Sequence, residues 1–253
     1  MHIRKDETMS YKSETFTNEL NTIQNDSIRQ FCIEMLEDAP DYFFTIPAST
    51  TGKYHPSYAL NTAGLIRHTK ALVGIANDLL ALEQYNFDPD TKDMIRVAGI
   101  LHDAKKLGDN GSQWTVFDHP IIAADWVRNS KSETVSQDVK NEIASMIASH
   151  MGSWNTSKHS ETILPKPVTE EQKFVHMCDY LASRKHLEYV FEQDEIHSSK
   201  PAAPENPDDF IMPFGKYKGR KFAEFKEDTG YLSWLKENCE LREPLKTYVE
   251  EQL

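Results

Sequence analysis

An adjacent histidine and aspartate, His102 and Asp103, stand inside an apolar helical pattern and constrain this chain more than any other feature. Apolar periodicity predicts a helix over about 91–107, with Leu101 directly before the pair. Burying an ionised carboxylate is strongly unfavourable unless it is paired or binds a metal. The fold must therefore supply the buried doublet with a charged partner.

The doublet belongs to a longer series of histidines and aspartates. In chain order the series is His68, His102, Asp103, His119, His150 and Asp179. Imidazole and carboxylate are the ligands of divalent ions such as Mn²⁺, Fe²⁺, Co²⁺, Ni²⁺ and Zn²⁺. Four members lie on predicted helices among apolar neighbours, so a bundle can point them inward. His119 and His150, at a helix start and a helix end, could reach a second ion across a bridging Asp103, or the substrate; otherwise they are ordinary helix-end histidines.

The remaining periodicity predicts a mainly α protein with a helical bundle as its larger part. The predicted helices span about 26–37, 61–84, 91–107, 119–127 and 137–150, with another starting at the capping box of Thr169 and Gln172. Composition divides the chain into a polar N-terminal segment, the bundle domain, a Pro-rich acidic linker and a small C-terminal module. Their bounds are 1–25, 26–191, 192–209 and 210–253. A strand and tight turn near 211–220, followed by two short helices, predict an α+β module.

Charge and composition limit the classes of function. A net charge of −12 argues against a broad basic surface for duplex nucleic acid, but it leaves open a small substrate or one strand near bound cations. No apolar run approaches the roughly 20 residues of a membrane span, and residues 1–24 lack a signal-peptide core. The three cysteines lie far apart and are expected to be reduced thiols. We therefore expect a cytoplasmic protein that does not enter membranes.

Basic residues near the doublet are candidates for substrate contact. Lys106 lies one helical turn after Asp103 and could neutralise a substrate phosphate or contact the carboxylate; otherwise it is an ordinary helix-end lysine. Arg184, five residues after Asp179, could bind a phosphate or be a surface arginine. His55 is a weaker candidate, as are His159, His176, His186 and His197.

The C-terminal module offers a second candidate surface. Lys216 and Lys218 alternate with aromatic residues and could hold a single strand by charge and stacking. The alternative is an aromatic folding core that carries a solvated basic turn.

The order of the histidines and aspartates, the doublet and Lys106 resemble the HD-domain superfamily of metal-dependent phosphohydrolases, over about residues 45–190. The resemblance implies that His68, His102, Asp103 and Asp179 bind metal. It also implies that His119 and His150 match the extra histidines of members with two metals. The implied cofactors are divalent ions, two in number, drawn from Mn, Fe, Ni, Co or Mg. The implied substrate is a phosphate ester, attacked by metal-activated water.

Finer similarities point toward nucleases. The segments Pro47-Ala48, Tyr54-His55-Pro56 and 63–69 are similar to a bacterial 3′–5′ exoribonuclease branch. Two departures stand against that branch: Lys105 replaces its usual glycine, and no N-terminal nucleic-acid-binding barrel is indicated. The C-terminal motifs at 212–220 and 231–235 resemble a small domain at the end of some phage and bacterial exonucleases.

These observations favour cleavage of phosphodiester bonds in single-stranded nucleic acid by a two-metal hydroxide attack, with Asp103 and Lys106 as catalytic residues. One alternative is a phosphohydrolase or phosphodiesterase for a small nucleotide, such as a dNTP, an NMP or a cyclic nucleotide. A second is a non-catalytic binding protein with the same fold. The sequence does not indicate the oligomeric state.

Overall fold

The structure is a computed structural model that describes residues 10–49, 55–187, 206–239, 241 and 244–253. The chain divides into two compact units, 1–198 and 199–253. Most of the predicted linker at 192–209 lies outside the described residues, and its end forms a 3₁₀ helix at Pro207–Asp209.

The first unit is a helical bundle, so the prediction of a mainly α protein is confirmed. Its helices are α1 (Tyr11–Glu14), α2 (Thr17–Leu20), α3 (Asp26–Asp38), α4 (Gly64–Leu80), α5 (Pro89–Leu101), α6 (His119–Arg128), α7 (Gln137–Ala148) and α8 (Glu170–Ala182). Short 3₁₀ helices lie at Asp41–Phe44 and Ser57–Ala59. Helix α4 packs against both α5 and α8, and α6 pairs with α7. No helix in the described part of the chain is long and apolar enough to cross a membrane.

Side-chain caps explain where several helices begin. The Asp88 and Ser136 side chains accept backbone N–H groups at the starts of α5 and α7. At α8 the predicted capping box is present, with Thr169 and Gln172 each bonding the other's backbone. Such caps satisfy N–H groups that have no partner inside the helix, and they fix the first turn of each helix.

The described part of the polar N-terminal segment contributes to the core. We expected this segment to be loose at its start, and residues 1–9 lie outside the described residues. From there, α1 and α2 bring Phe16, Leu20 and Ile23 into complete burial. Phe16 stacks on Phe43 at 6.0 Å between ring centroids. These three apolar side chains at helical spacing outweigh the polar composition around them.

Helix α5 ends at Leu101, six residues before the predicted end. The following residues form tighter turns in which the N–H groups of Ala104 and Lys106 donate to the carbonyls three residues earlier, each at 3.0 Å. The apolar pattern continues through this segment, so periodicity alone extended the helix too far. The His102–Asp103 doublet therefore opens an irregular turn, and this turn brings Lys106 back beside Asp103.

The second unit differs from the α+β module that we predicted. Besides two 3₁₀ helices it contains α9 (Thr229–Asn238) and α10 (Leu245–Gln252). Across residues 206–239, 241 and 244–253, the strand pattern reduces to one antiparallel bridge between Ile211 and Lys221. Pro213 has no N–H to donate, and Gly215 and Gly219 turn the chain with positive φ, so a continuous ladder cannot form.

A buried carboxylate ties the N-terminal helices to α5. Asp93 is fully buried, and its Oδ2 accepts the backbone N–H groups of Gln24 and Asn25 at 2.9 and 2.7 Å. Its Oδ1 lies 2.8 Å from Nη1 of Arg96. The chain direction between α2 and α3 thus depends on one side chain of the helix that leads to the doublet.

We expect Asp93→Ala to lower the free energy of unfolding by about 3 kcal/mol, because two backbone N–H groups lose their acceptor and Arg96 loses its buried carboxylate partner. The exposed Asp78 on α4 is the matched control, and Asp78→Ala should change stability by less than about 0.5 kcal/mol. Urea denaturation measures both values. Equal losses in the two variants would contradict this role of Asp93.

Candidate metal centre

Five structural elements bring the six predicted metal residues together. His68 lies in the second turn of α4, and Asp179 lies in α8. The His102–Asp103 doublet directly follows α5. His119 is the first residue of α6, and His150 comes two residues after α7 ends. The donors therefore sit at or near helix ends, where the backbone direction changes.

Close distances connect the six side chains. Nε2 of His119 lies 3.0 Å from Oδ1 of Asp103, and Nε2 of His150 lies 3.8 Å from the same oxygen. Nε2 of His68 lies 3.0 Å from Oδ1 of Asp179. Nε2 of His102 lies between the carboxylates, 3.4 Å from Oδ2 of Asp103 and 3.7 Å from Oδ1 of Asp179.

Within the described residues, these side chains form three overlapping sets of possible ligands, each with donor atoms within 4.8 Å of one another. The sets are His68 with His102 and Asp103, His102 with His150 and Asp179, and Asp103 with His119 and His150. Asp103, His102 and His150 each belong to two sets, and of these only the Asp103 carboxylate has two oxygens with which it could bridge two ions. All the donors are imidazole nitrogens or carboxylate oxygens, which suit first-row divalent ions.

Backbone hydrogen bonds fix the orientation of three imidazole rings. Nδ1 of His102 donates to the Gly99 carbonyl at 2.8 Å. His119 and His150 make the same bond to the carbonyls three residues before them, each at 2.7 Å. Since a carbonyl only accepts, Nδ1 carries the proton and Nε2 keeps its lone pair when the ring is neutral. This is how proteins commonly orient histidines that bind metal.

Several buried nitrogen and oxygen atoms that could bind a metal have no hydrogen-bond partner among the described residues. They include Nε2 of His102 and His119 and Oδ1 of Asp103. The short distance between His119 and Asp103 therefore does not amount to a well-aligned hydrogen bond. Leaving a buried polar atom unsatisfied costs about 1–3 kcal/mol. A divalent cation would satisfy these atoms, so the donor set fits the metal that the sequence predicts.

Electrostatics favours metal-binding protonation states for Asp103, Asp179 and His150. At His102, by contrast, burial lowers the pKa of the ring, but the nearby carboxylates, chiefly Asp103, outweigh burial and raise the pKa. Burial raises the pKa of Asp103, but the Lys106 ammonium and the His102 ring outweigh it and hold the pKa well below its usual range. The pKa of Asp179 is likewise lowered, because hydrogen bonding with His68 and nearby imidazoles overcome burial. Burial lowers the pKa of His150 to about 3, so this ring is neutral near pH 7.

The cluster opens into a cleft of about 360 Å³, which all the metal candidates except His102 line. Lys106 reaches into it while its ammonium pairs with Oδ2 of Asp103. His55 and Arg184, both predicted to contact substrate, also line the cleft. The His55 ring lies 5.3 Å from the His68 ring, and burial lowers its pKa to about 3.

An aromatic cluster at the cleft was not expected from the sequence. Trp154 and Tyr180 stack with 5.7 Å between ring centroids, and His176, only a weak candidate, lies 6.2 Å from Trp154. Nδ1 of His176 donates to the His150 carbonyl at 2.7 Å. The spacing of four residues from His176 to Tyr180 to Arg184 was the sequence signal for this group, which spans the end of α8 and the two residues after it.

Lys216 and Lys218 lie in the second unit, where much of the basic turn is paired with carboxylates. Lys216 lies 2.9 Å from Asp228, and Lys221 lies 2.8 Å from Asp209. Lys218 is exposed. Phe222 and Tyr217 pack into the core of the unit, which favours the alternative of an aromatic folding core with a basic turn.

Comparison with known families agrees with this geometry. Residues 65–184 match the HD domain family. All six predicted ligands, Lys106 and Arg184 fall inside the matched segment. Members of that family are metal-dependent phosphohydrolases that bind divalent metals, and the helical bundle of the first unit is consistent with their helical fold. Comparisons with curated proteins and with solved structures gave no match.

Gly152 holds the backbone next to His150. Its φ is +57°, and a Cβ at this position would overlap the His176 ring. Gly152→Ala should therefore displace His176 and the His150 carbonyl that it contacts, and we expect purified protein to keep less than half of its bound metal. Gly111→Ala is the control, because its φ of +65° carries similar strain, about 1–2 kcal/mol, without a clash. Elemental analysis measures the metal. Full metal content in Gly152→Ala would refute this role.

Proposed function

We propose that the HD domain of this chain hydrolyses phosphodiester bonds of single-stranded nucleic acid, in the manner of a 3′–5′ exonuclease. The observation that carries the proposal is a buried histidine and aspartate cluster with unsatisfied donor atoms, open to a cleft that Lys106 and Arg184 line. Such a cleft combines metal ligands with cationic side chains, and phosphate chemistry needs both.

The metal ligands in this proposal are His68, His102, Asp103 and Asp179, joined by His119 and His150 for a second ion. Manganese, iron, nickel, cobalt and magnesium are the candidate ions. Divalent ions in this position supply Lewis acidity toward a phosphate oxygen and lower the pKa of water.

The chain's own residues bind and orient the ester. Lys106 stands beside Asp103 and offers a cation to a phosphate oxygen, and Arg184 offers a planar group that can bind a phosphate with two hydrogen bonds. His55 is neutral near pH 7, so it can hydrogen-bond the substrate without adding charge. Lys216 and Lys218 remain candidates for holding the strand, although the pairing of Lys216 with Asp228 offsets its charge.

Hydrolysis of a small nucleotide is the second candidate function. Its support is the net charge of −12 and a cleft of about 360 Å³, which is near the lower end of the usual range for ligand sites of about 300–1,000 Å³. Salt dependence separates the candidates, because binding of a polynucleotide weakens steeply with salt and turnover of a mononucleotide much less. A non-catalytic role has less support, since the sequence carries a histidine or aspartate at every expected metal-ligand position.

The direct test is hydrolysis of 5′-labelled single-stranded RNA and DNA oligonucleotides with Mn²⁺. We expect a ladder of shortened products from the wild type. Asp103→Asn keeps the side-chain shape but removes a charge at the centre, and it should lower the rate by at least 100-fold. Asp109→Asn, at an exposed residue six positions later, should leave the rate unchanged.

Intact oligonucleotides with metal-loaded wild type would reject the nuclease proposal, and a panel of dNTP, NMP and cyclic nucleotides would then test the second candidate. Equal ladders from the wild type and Asp103→Asn would instead reject the assignment of the centre.

A further inference from the structure

Trp154 exposes about half of its side chain (51%) while lining the same cleft as the metal candidates. Its indole lies nearly parallel to the Tyr180 ring, at 18° between the planes. Tyr180 is itself partly exposed and directly follows Asp179 in the chain. We call Trp154 and Tyr180 the aromatic platform. Apolar ring surface therefore meets solvent right beside groups that the mechanism assigns to phosphate.

A guanidinium group accompanies the aromatic platform. The Arg184 guanidinium carbon lies 4.3 Å from the Tyr180 ring centroid and 5.9 Å from the Trp154 centroid. Arg184 also donates from Nη2 to the Ser183 hydroxyl at 3.1 Å, which helps to hold its position. Planar π surface next to a guanidinium is the combination that proteins use to bind unpaired nucleotides.

The loop that carries Trp154 is fixed before any ligand arrives. Asn155 and Leu164 exchange two hydrogen bonds across the loop, at 3.0 and 3.1 Å. Farther along, the hydroxyl groups of Ser160 and Thr162 donate to Asp118, the residue before His119, at 2.7 and 3.1 Å. The same contacts thus join the loop to a metal candidate, and a preorganised surface loses little conformational entropy on binding.

We propose that the aromatic platform binds the nucleobase of the substrate by stacking, while its phosphate lies at the metal centre. The inference rests on the proposed function, because it takes a phosphate ester as the ligand. It adds that the ligand must carry a base, and that Trp154 distinguishes a nucleotide from a sugar phosphate. The bound nucleotide could be a free nucleotide or the terminal nucleotide of a strand, because both present a base and a phosphate.

Binding of AMP and of ribose 5-phosphate to the full chain, measured by calorimetry, tests the inference because the two ligands share the sugar and phosphate, and ribose 5-phosphate carries a hydroxyl in place of the base. In Trp154→Ala the dissociation constant for AMP should rise about 10-fold or more, while that for ribose 5-phosphate stays unchanged. Trp154→Phe retains a π surface and should bind AMP within about threefold of the wild type. The control is Trp234→Ala in the second unit, since Trp234 is equally exposed and also stacks on a tyrosine.

Unchanged AMP binding in Trp154→Ala would overturn the inference, and so would an equal loss for both ligands. Binding of a dinucleotide such as ApA, compared with binding of AMP, distinguishes a strand end from a free nucleotide. Tighter binding of ApA than of AMP, dependent on Trp154, supports the platform with a strand end as the source. Tighter binding of AMP supports it with a free nucleotide. If AMP binding depends on Trp154 but no phosphate ester is hydrolysed, the proposed function fails and the platform stands.

Discussion

The carboxylate of Asp103 is the group on which the centre depends. One oxygen pairs with the Lys106 ammonium, and the other faces the Nε2 atoms of His119 and His150. The side chain is almost completely buried, yet this second oxygen has no hydrogen-bond partner within the described residues. A buried anionic oxygen that faces two imidazole nitrogens without a hydrogen bond is unfavourable on its own. Bound divalent ions would turn that same arrangement into a favourable one.

Carbonyl groups at the ends of helices orient the imidazole rings around Asp103. The carbonyls that accept from His102 and His150 belong to the last turns of α5 and α7, where carbonyls lack partners farther along the helix. One hydrogen bond thus satisfies a helix end and also turns Nε2 toward the centre. His176 adds a further link, because it contacts the His150 carbonyl and lies near Trp154. The metal candidates and the aromatic platform are therefore parts of one connected scaffold.

Residue types and apolar periodicity in the sequence predicted the members of the cluster and the position of most helices. The ordered histidines and aspartates indicated the members of the cluster, and the capping box at Thr169 located the start of α8. Tertiary packing decided the rest: α5 ends at Leu101 despite a continuing apolar pattern, and Phe16 draws a polar segment into the core. Trp154 escaped prediction because its partners, Tyr180 and Arg184, are far away in sequence. The strand expected near Ile211 was lost to Pro213 and two turning glycines.

The most direct measurement of the central claim is anomalous diffraction from crystals grown with Mn²⁺, recorded near the manganese edge. We predict at least one anomalous peak within roughly 2–2.3 Å of Nε2 of His102 or His119 and of a carboxylate oxygen of Asp103. A second peak that shares Asp103 would establish the two-ion arrangement. No anomalous peak in the cluster, with manganese bound elsewhere or not at all, would contradict the account.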